Sequence, residues 1–203
     1  MAVPRELVKL VEKFDRNLAS YRAGGYNEAQ VRAEFIDPMF EQLGWDMHNK
    51  EGHAEAYKDV IHEDAIQIGG TTKAPDYCFR IGGTRKFFLE AKKPAVNIKG
   101  EPEPAFQLRR YTWSAKLSLS LLTDFEELAV YDCRLKPAKD EKPAIGRISY
   151  LTFDQYPERW DEIASVFSKE AVLKGSFDRF GVERKGKRGT TPVDAEFLRE
   201  IER

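Results

Sequence analysis

The chain has 203 residues, 41% hydrophobic and 33% charged, a composition that suits one soluble domain of ordinary size with a full core. Its formal net charge of −1 excludes a globally basic surface, so any grip on a polyanion must be local. No apolar run approaches bilayer-spanning length, and the charged start "MAVPRELVKLVEKFDR" excludes a secretory signal, so a cytoplasmic protein is expected.

Leu7, Leu10, Val11, Phe14, Leu18 and Tyr21 recur at helical spacing until "AGGYN" ends the pattern. Asn27 caps a second helix with the stripe Val31, Phe35, Met39 and Leu43, and Asp37-Pro38 inside it predicts a kink or a break. Residues 57–70 read as an ambiguous strand. "APDYCFRI" and "RKFFLEAKK" are two strands around "GGT", a hairpin signal. "EPEPAFQLRRYTWSAK" is a helix introduced by prolines, "LSLSLLTD" and "ELAVYDCRL" are two further strands, and "YPERWDEIASVF" is a last helix. The order predicts a mixed α/β domain over residues 1–173, with helices packed on a sheet. From 174 the chain turns basic and glycine-containing, "KGSFDRFGVERKGKRGTTPVD", which reads as a linker. Thr191-Pro192 and Asp194 then start a helix that stops after about two turns, so the chain reads as a piece of something longer.

The stretch "FFLEAKKPA" begins as a core strand and ends in charges. Strand alternation puts Phe87, Leu89 and Ala91 on one face and Phe88, Glu90 and Lys92 on the other. A three-residue loop, Gly82-Gly83-Thr84, pairs Ile81 with Arg85, Phe79 with Phe87 and Tyr77 with Leu89, and sets Asp76 opposite Glu90. A two-residue Gly-Gly turn would set Asp76 opposite Leu89 instead, so a loop of odd length is expected. Two facing carboxylates repel unless a positive group lies between them, and a hard divalent cation is the economical answer. The neighbouring lysine can then orient or deprotonate an attacking water.

"PDY…LEAKKP" resembles the PD-(D/E)xK nuclease motif, with Asp76, Glu90 and Lys92 in its three named places. "QLRRY" is similar to the Gln-xxx-Tyr motif of one branch of these nucleases, and its spacing sets Gln107 and Tyr111 on one helical face. Glu34, in "RAEFIDPMFEQLGW", stands where the family carries an extra acid on an early helix. The resemblance covers about residues 4–170 and implies a restriction-endonuclease-like fold, a mixed central sheet flanked by helices with an N-terminal helical pair. It further implies Mg²⁺-dependent hydrolysis of DNA, with Mn²⁺ able to substitute and no organic cofactor. Asp76, Glu90 and the Ala91 carbonyl would hold the metal, Glu34 would act through a metal-bound water, and Lys92 would position the nucleophile. Gln107 and Tyr111 would support the site, and Arg109, Arg110, Lys116 and Lys93 would meet phosphates, the two arginines as solvent-exposed side chains. The tail looks like the connector of type IIG enzymes, which fuse nuclease, methyltransferase and target-recognition domains; a transient dimer on DNA belongs to the same expectation. The nuclease domain of a type I restriction motor subunit and an inactive DNA-binding module of the same fold are the alternatives.

Other features read as structure. Cys78 and Cys133 have neither metal-ligand nor disulfide-framework spacing, and no pair among His48, His53 and His62 has helical or zinc-finger spacing. Taken singly, Asp76 is a strand-start residue and Glu-x-Lys a solvated strand end; only their register raises them to a site.

Overall fold

Leu7 and Phe14 lie two helical turns apart on α1 (Arg5–Arg16) and are both fully buried, as the apolar stripe requires. Asn17 breaks the expected long helix, and α2 (Leu18–Arg22) carries Tyr21 to the same core. The computed structural model describes residues 2–178, so most of the expected basic linker and the connector helix lie outside the described residues. Asn27 caps α3 (Glu28–Val31) through a reciprocal pair of bonds with Gln30. The helix then widens into a π-helical turn over Arg32–Ile36 before α4 (Asp37–Gln42). That turn is the form taken by the expected kink. Pro38 has no N–H to offer, and its ring would press on the carbonyl four residues back, so a wider turn relieves both faults.

The strands follow as β1 (Val60–His62), β2 (Ile66–Ile68), β3 (Thr71–Lys73), β4 (Tyr77–Ile81) and β5 (Thr84–Ala91). After α5 (Pro102–Ser114) come β6 (Leu119–Thr123), β7 (Glu127–Asp132) and β8 (Arg147–Thr152), then α6 (Trp160–Phe167) and α7 (Lys169–Leu173). Six strands form one mixed sheet in the order β1-β4-β5-β6-β7-β8, with only β5 and β6 parallel; α5 makes the crossover between them. β2 and β3 form a separate hairpin. The mixed sheet with flanking helices is the architecture expected from the sequence and fits a restriction-endonuclease-like fold. β8 was not anticipated, and the ambiguous strand resolves into β1 and β2.

Both faces of the sheet are covered. Phe87, Leu89 and Ala91 meet the N-terminal helices and α6 in the larger core, which also takes in Phe177, stacked on Phe87. Phe88 meets Leu108 and Tyr111 of α5 and Ile66 and Ile68 of the small hairpin in the other. Phe79 and Phe87 pair across β4 and β5 and stack with ring centroids 4.4 Å apart.

The loop between β4 and β5 corrects one expectation. Gly82 and Gly83 form a two-residue turn with φ of 54° and 80°, and Ile81 pairs with Thr84, not Arg85. The register then shifts between Phe79 and Arg80, leaving Lys86 as the extra residue of a β-bulge. Beyond the bulge Phe79 faces Phe87 and Tyr77 faces Leu89, the pairing inferred from the apolar pattern. The loop has a different length, and the strand ends meet in the expected register.

Candidate active site

Continuing the register past Tyr77 and Leu89 places Asp76 opposite Glu90 at the end of β5. Asp76 bends onto this strand end and accepts the Ala91 N–H at 2.7 Å through Oδ2. Glu90 is only 3% exposed, and its Oε1 accepts from Lys92 Nζ at 2.8 Å and Gln107 Nε2 at 2.6 Å. Its Oε2 is buried with no hydrogen-bond partner. Burial, and then repulsion from Asp76, push the Glu90 acid up to about 7, with Lys92 pulling the other way. Lys92 loses basicity to burial, but Glu90, Glu28 and Asp76 outweigh that loss, so its pKa is raised and it stays an ammonium.

Gln107 and Tyr111 share one face of α5, as their spacing predicts, and the face is turned to Glu90. Burial raises the Tyr111 hydroxyl first and the Glu90 charge adds to it, while Gln107 and Lys92 oppose. Gln107 thus links the helix to the acid at the strand end.

Two residues enter the cluster that sequence reasoning missed. Glu28 opens α3 and lies 3.8 Å from Lys92 Nζ; burial raises its acid, Lys92 lowers it and Asp76 raises it again. The signal available was the Asn27–Gln30 capping pair, which fixes the helix start and hence the direction of its first turn. Arg32, on the π-helical turn, reaches Asp76 Oδ1 at 3.4 Å and the Tyr77 hydroxyl at 3.2 Å. Its guanidinium also lies over the Tyr77 ring, 4.7 Å from the centroid.

Other expected site residues stand apart. Glu34 pairs with Lys13 at 2.8 Å, two side chains each 40% exposed, and so faces α1; Glu28 is the acid that the same helical segment brings to Lys92. Arg109 is not the solvent-exposed side chain expected of a phosphate contact. It is 3% exposed and bonded to Glu141 at 2.5 Å. Arg109 lies four residues from buried Ala105 and three from buried Thr112, a placement that signals the inner face of α5. Arg110 is half-buried, while Lys116 and Lys93 are exposed. Both thiols are buried and free, as expected from their spacing, and burial pushes Cys133 up to about 12.

Among the described residues no three histidine, cysteine or carboxylate side chains are grouped so as to hold a metal ion. The chemistry of the strand end nevertheless fits one hard cation. Two carboxylates converge, one buried oxygen lacks a partner, and burial, then repulsion from Asp76, raises Glu90. With Lys92 on Oε1 and Arg32 3.4 Å from Asp76, Glu90 Oε2 and Asp76 Oδ1 are the oxygens that a hard cation could take. No helix among the described residues is long and apolar enough to cross a membrane.

No protein-family model matches the chain, and no solved structure matches it. Among curated proteins it is 39% identical over 198 residues to "Type II restriction enzyme and methyltransferase RM.Eco57I" of Escherichia coli. The match covers 97% of this chain and 20% of the relative, so the chain spans about a fifth of the curated protein it resembles. By sequence, then, this chain is similar to one segment of a restriction–modification enzyme.

Proposed function

We propose that this chain is the DNA-cleaving module of a longer restriction–modification polypeptide, a Mg²⁺-dependent PD-(D/E)xK endonuclease whose target recognition lies in other domains. The observation that carries the reading is the convergence of Asp76, Glu90 and Lys92 at the ends of β4 and β5, with Glu90 buried, raised in pKa and short of one partner. Asp76, Glu90 and the Ala91 carbonyl are the oxygens that would hold the metal. Bound there, a divalent cation supplies charge stabilisation at the scissile phosphate and makes a water more acidic.

The chain's own residues do the positioning. Gln107 and Lys92 both donate to Glu90 Oε1, which fixes the carboxylate and leaves Oε2 as its unpartnered oxygen. Lys92, raised by Glu90, Glu28 and Asp76, would orient a water or a phosphate oxygen with its remaining N–H bonds. Tyr111, buried on the same face of α5 as Gln107, would support Gln107 beside Glu90. Arg110, Lys116 and Lys93 keep some exposure and would be the cations that meet phosphates; Arg109, buried against Glu141, serves the fold instead. The methyltransferase in the relative's name supports the type IIG arrangement over a motor subunit. Cutting both strands calls for two such sites, hence two copies on DNA.

Nicking of supercoiled plasmid by the 203-residue chain with Mg²⁺ tests the reading, against Lys92→Ala. Weak, sequence-indifferent nicking that the variant lacks is the expected result. Equal nicking by both, or none by either, would sink the proposal.

A further inference from the structure

Arg32 is a charged side chain held from every side next to the acid that the proposed cation needs. Its Nε donates to the Tyr77 hydroxyl at 3.2 Å. That hydroxyl spends its own proton on Asp37 Oδ1 at 2.6 Å, so its oxygen is free to accept. One terminal nitrogen faces His62 Nδ1 at 3.3 Å, and His62 Nε2 is 2.9 Å from the Met47 carbonyl. A carbonyl can only accept, so Nε2 carries the ring proton and Nδ1 takes the bond from Arg32. With the stacking on Tyr77, these contacts hold the guanidinium independently of the Asp76 carboxylate. The nitrogen facing His62 also reaches the Asp76 carbonyl at 3.5 Å, and the other lies 3.9 Å from Glu63 Oε1. The other terminal nitrogen then stands 3.4 Å from Asp76 Oδ1, longer than an ordinary charge-assisted bond. Asp76 meanwhile gives Oδ2 to the Ala91 N–H, so Oδ1 is the oxygen left for any cation.

We infer that Arg32 is the resident counter-ion of Asp76 and competes with the divalent cation for Oδ1. Without metal, Arg32 neutralises Asp76 and limits its repulsion of Glu90. When a divalent cation binds, the Arg32–Asp76 contact lapses, while Tyr77 and His62 keep the guanidinium in place. The freed N–H is then available to an anionic oxygen of the substrate. Arg32 is in this sense a positioning residue that lowers cation affinity and keeps the empty site ordered. The inference rests on the cation-dependent reading above.

The contest has a signature of unusual sign. A merely structural arginine, once removed, loosens the site and weakens metal binding. A competing one, once removed, tightens it. In calorimetric titration of the DNA-free chain with Mn²⁺, Arg32→Gln and Arg32→Met should bind about tenfold more tightly than wild type, because a repelling unit charge beside Asp76 is gone. Arg32→Lys, which keeps the charge, should stay within about threefold of wild type. The two neutral variants guard against a folding defect in either one, checked by thermal melting. Unchanged or weaker Mn²⁺ binding by the folded neutral variants overturns the inference. Should that happen while wild type binds Mn²⁺ and Asp76→Asn does not, the cation reading stands and the Arg32 inference alone falls. If wild type fails to bind Mn²⁺, the cation reading falls and the inference with it.

Discussion

Gln107 Nε2 and Lys92 Nζ converge on one oxygen of Glu90, at 2.6 and 2.8 Å, and leave the other oxygen buried and bare. A helix and a strand end thus hold the same carboxylate from two directions. Removing Gln107 should cost more than a surface amide. Gln107→Ala deletes a charge-assisted bond to a buried acid, worth about 1.5–3 kcal/mol, and frees the Glu90 side chain to turn. Denaturant melts should show that loss, and nicking should fall at least tenfold. Gln107→Glu sets a second carboxylate against Glu90 and should be worse on both counts.

The raised Glu90 acid fixes the sign of a pH effect. An acid moved from 4.5 to about 7 holds its proton more tightly folded than unfolded. Between those values the unfolded chain binds fewer protons, so stability is highest below about 4.5 and falls as the pH rises through about 7. The full span is about 3 kcal/mol as an upper figure, and Glu28, also raised, acts in the same direction. In EDTA, urea melts from pH 5 to 8 should show the decline, and Glu90→Gln should flatten it. Mn²⁺ should flatten it too, because a cation favours the charged carboxylate.

Glu28 and Glu34 lie on one helical segment and make opposite predictions. Glu34→Gln breaks an exposed pair with Lys13, a change of roughly 1 kcal/mol or less. Glu28→Gln removes an acid beside Lys92 and should alter nicking more than Glu34→Gln does. Parallel nicking rates decide between them. A larger loss for Glu34→Gln would return the extra acidic role to that residue.

Arg109 and its neighbour separate fold from DNA contact. Arg109→Ala strands Glu141 and empties a buried site, with a cost of about 2–3 kcal/mol once the partial exposure of Glu141 is allowed for. Arg110→Ala and Lys116→Ala should leave denaturant midpoints close to wild type and weaken DNA binding in a salt-dependent way. Binding titrations at two salt concentrations, beside denaturation curves, give both readouts.

Much of the site could be read from alternation alone. Phe87, Leu89 and Ala91 share the larger core, and the Phe79–Phe87 and Tyr77–Leu89 pairs fix which residues meet beyond them. The i, i+4 spacing of Gln107 and Tyr111 was equally direct. Three things were not legible. The stripe Val31, Phe35, Met39 and Leu43 is buried as drawn, but Glu34 was placed by the resemblance, and its side chain turns to Lys13 of α1 beside that stripe. Arg109 was read by its charge when its neighbours marked it as buried. β8 carries "RISYLT", whose Arg147 and Ser149 weaken the strand pattern of an edge, although Pro143 and Gly146 mark the turn that leads into it.

The bulge at Lys86 separates the length of the hairpin from the geometry of its far end. Ile81–Thr84 and Arg80–Arg85 close the turn, and Phe79–Phe87 resumes the ladder one residue later. Removing Lys86 would make the two ladders continuous, with Asp76 still opposite Glu90, and such a chain should match wild type in any Mn²⁺ titration. Insertions and deletions near the hairpin tip can therefore accumulate among related chains without disturbing the acids, provided a bulge comes or goes with them.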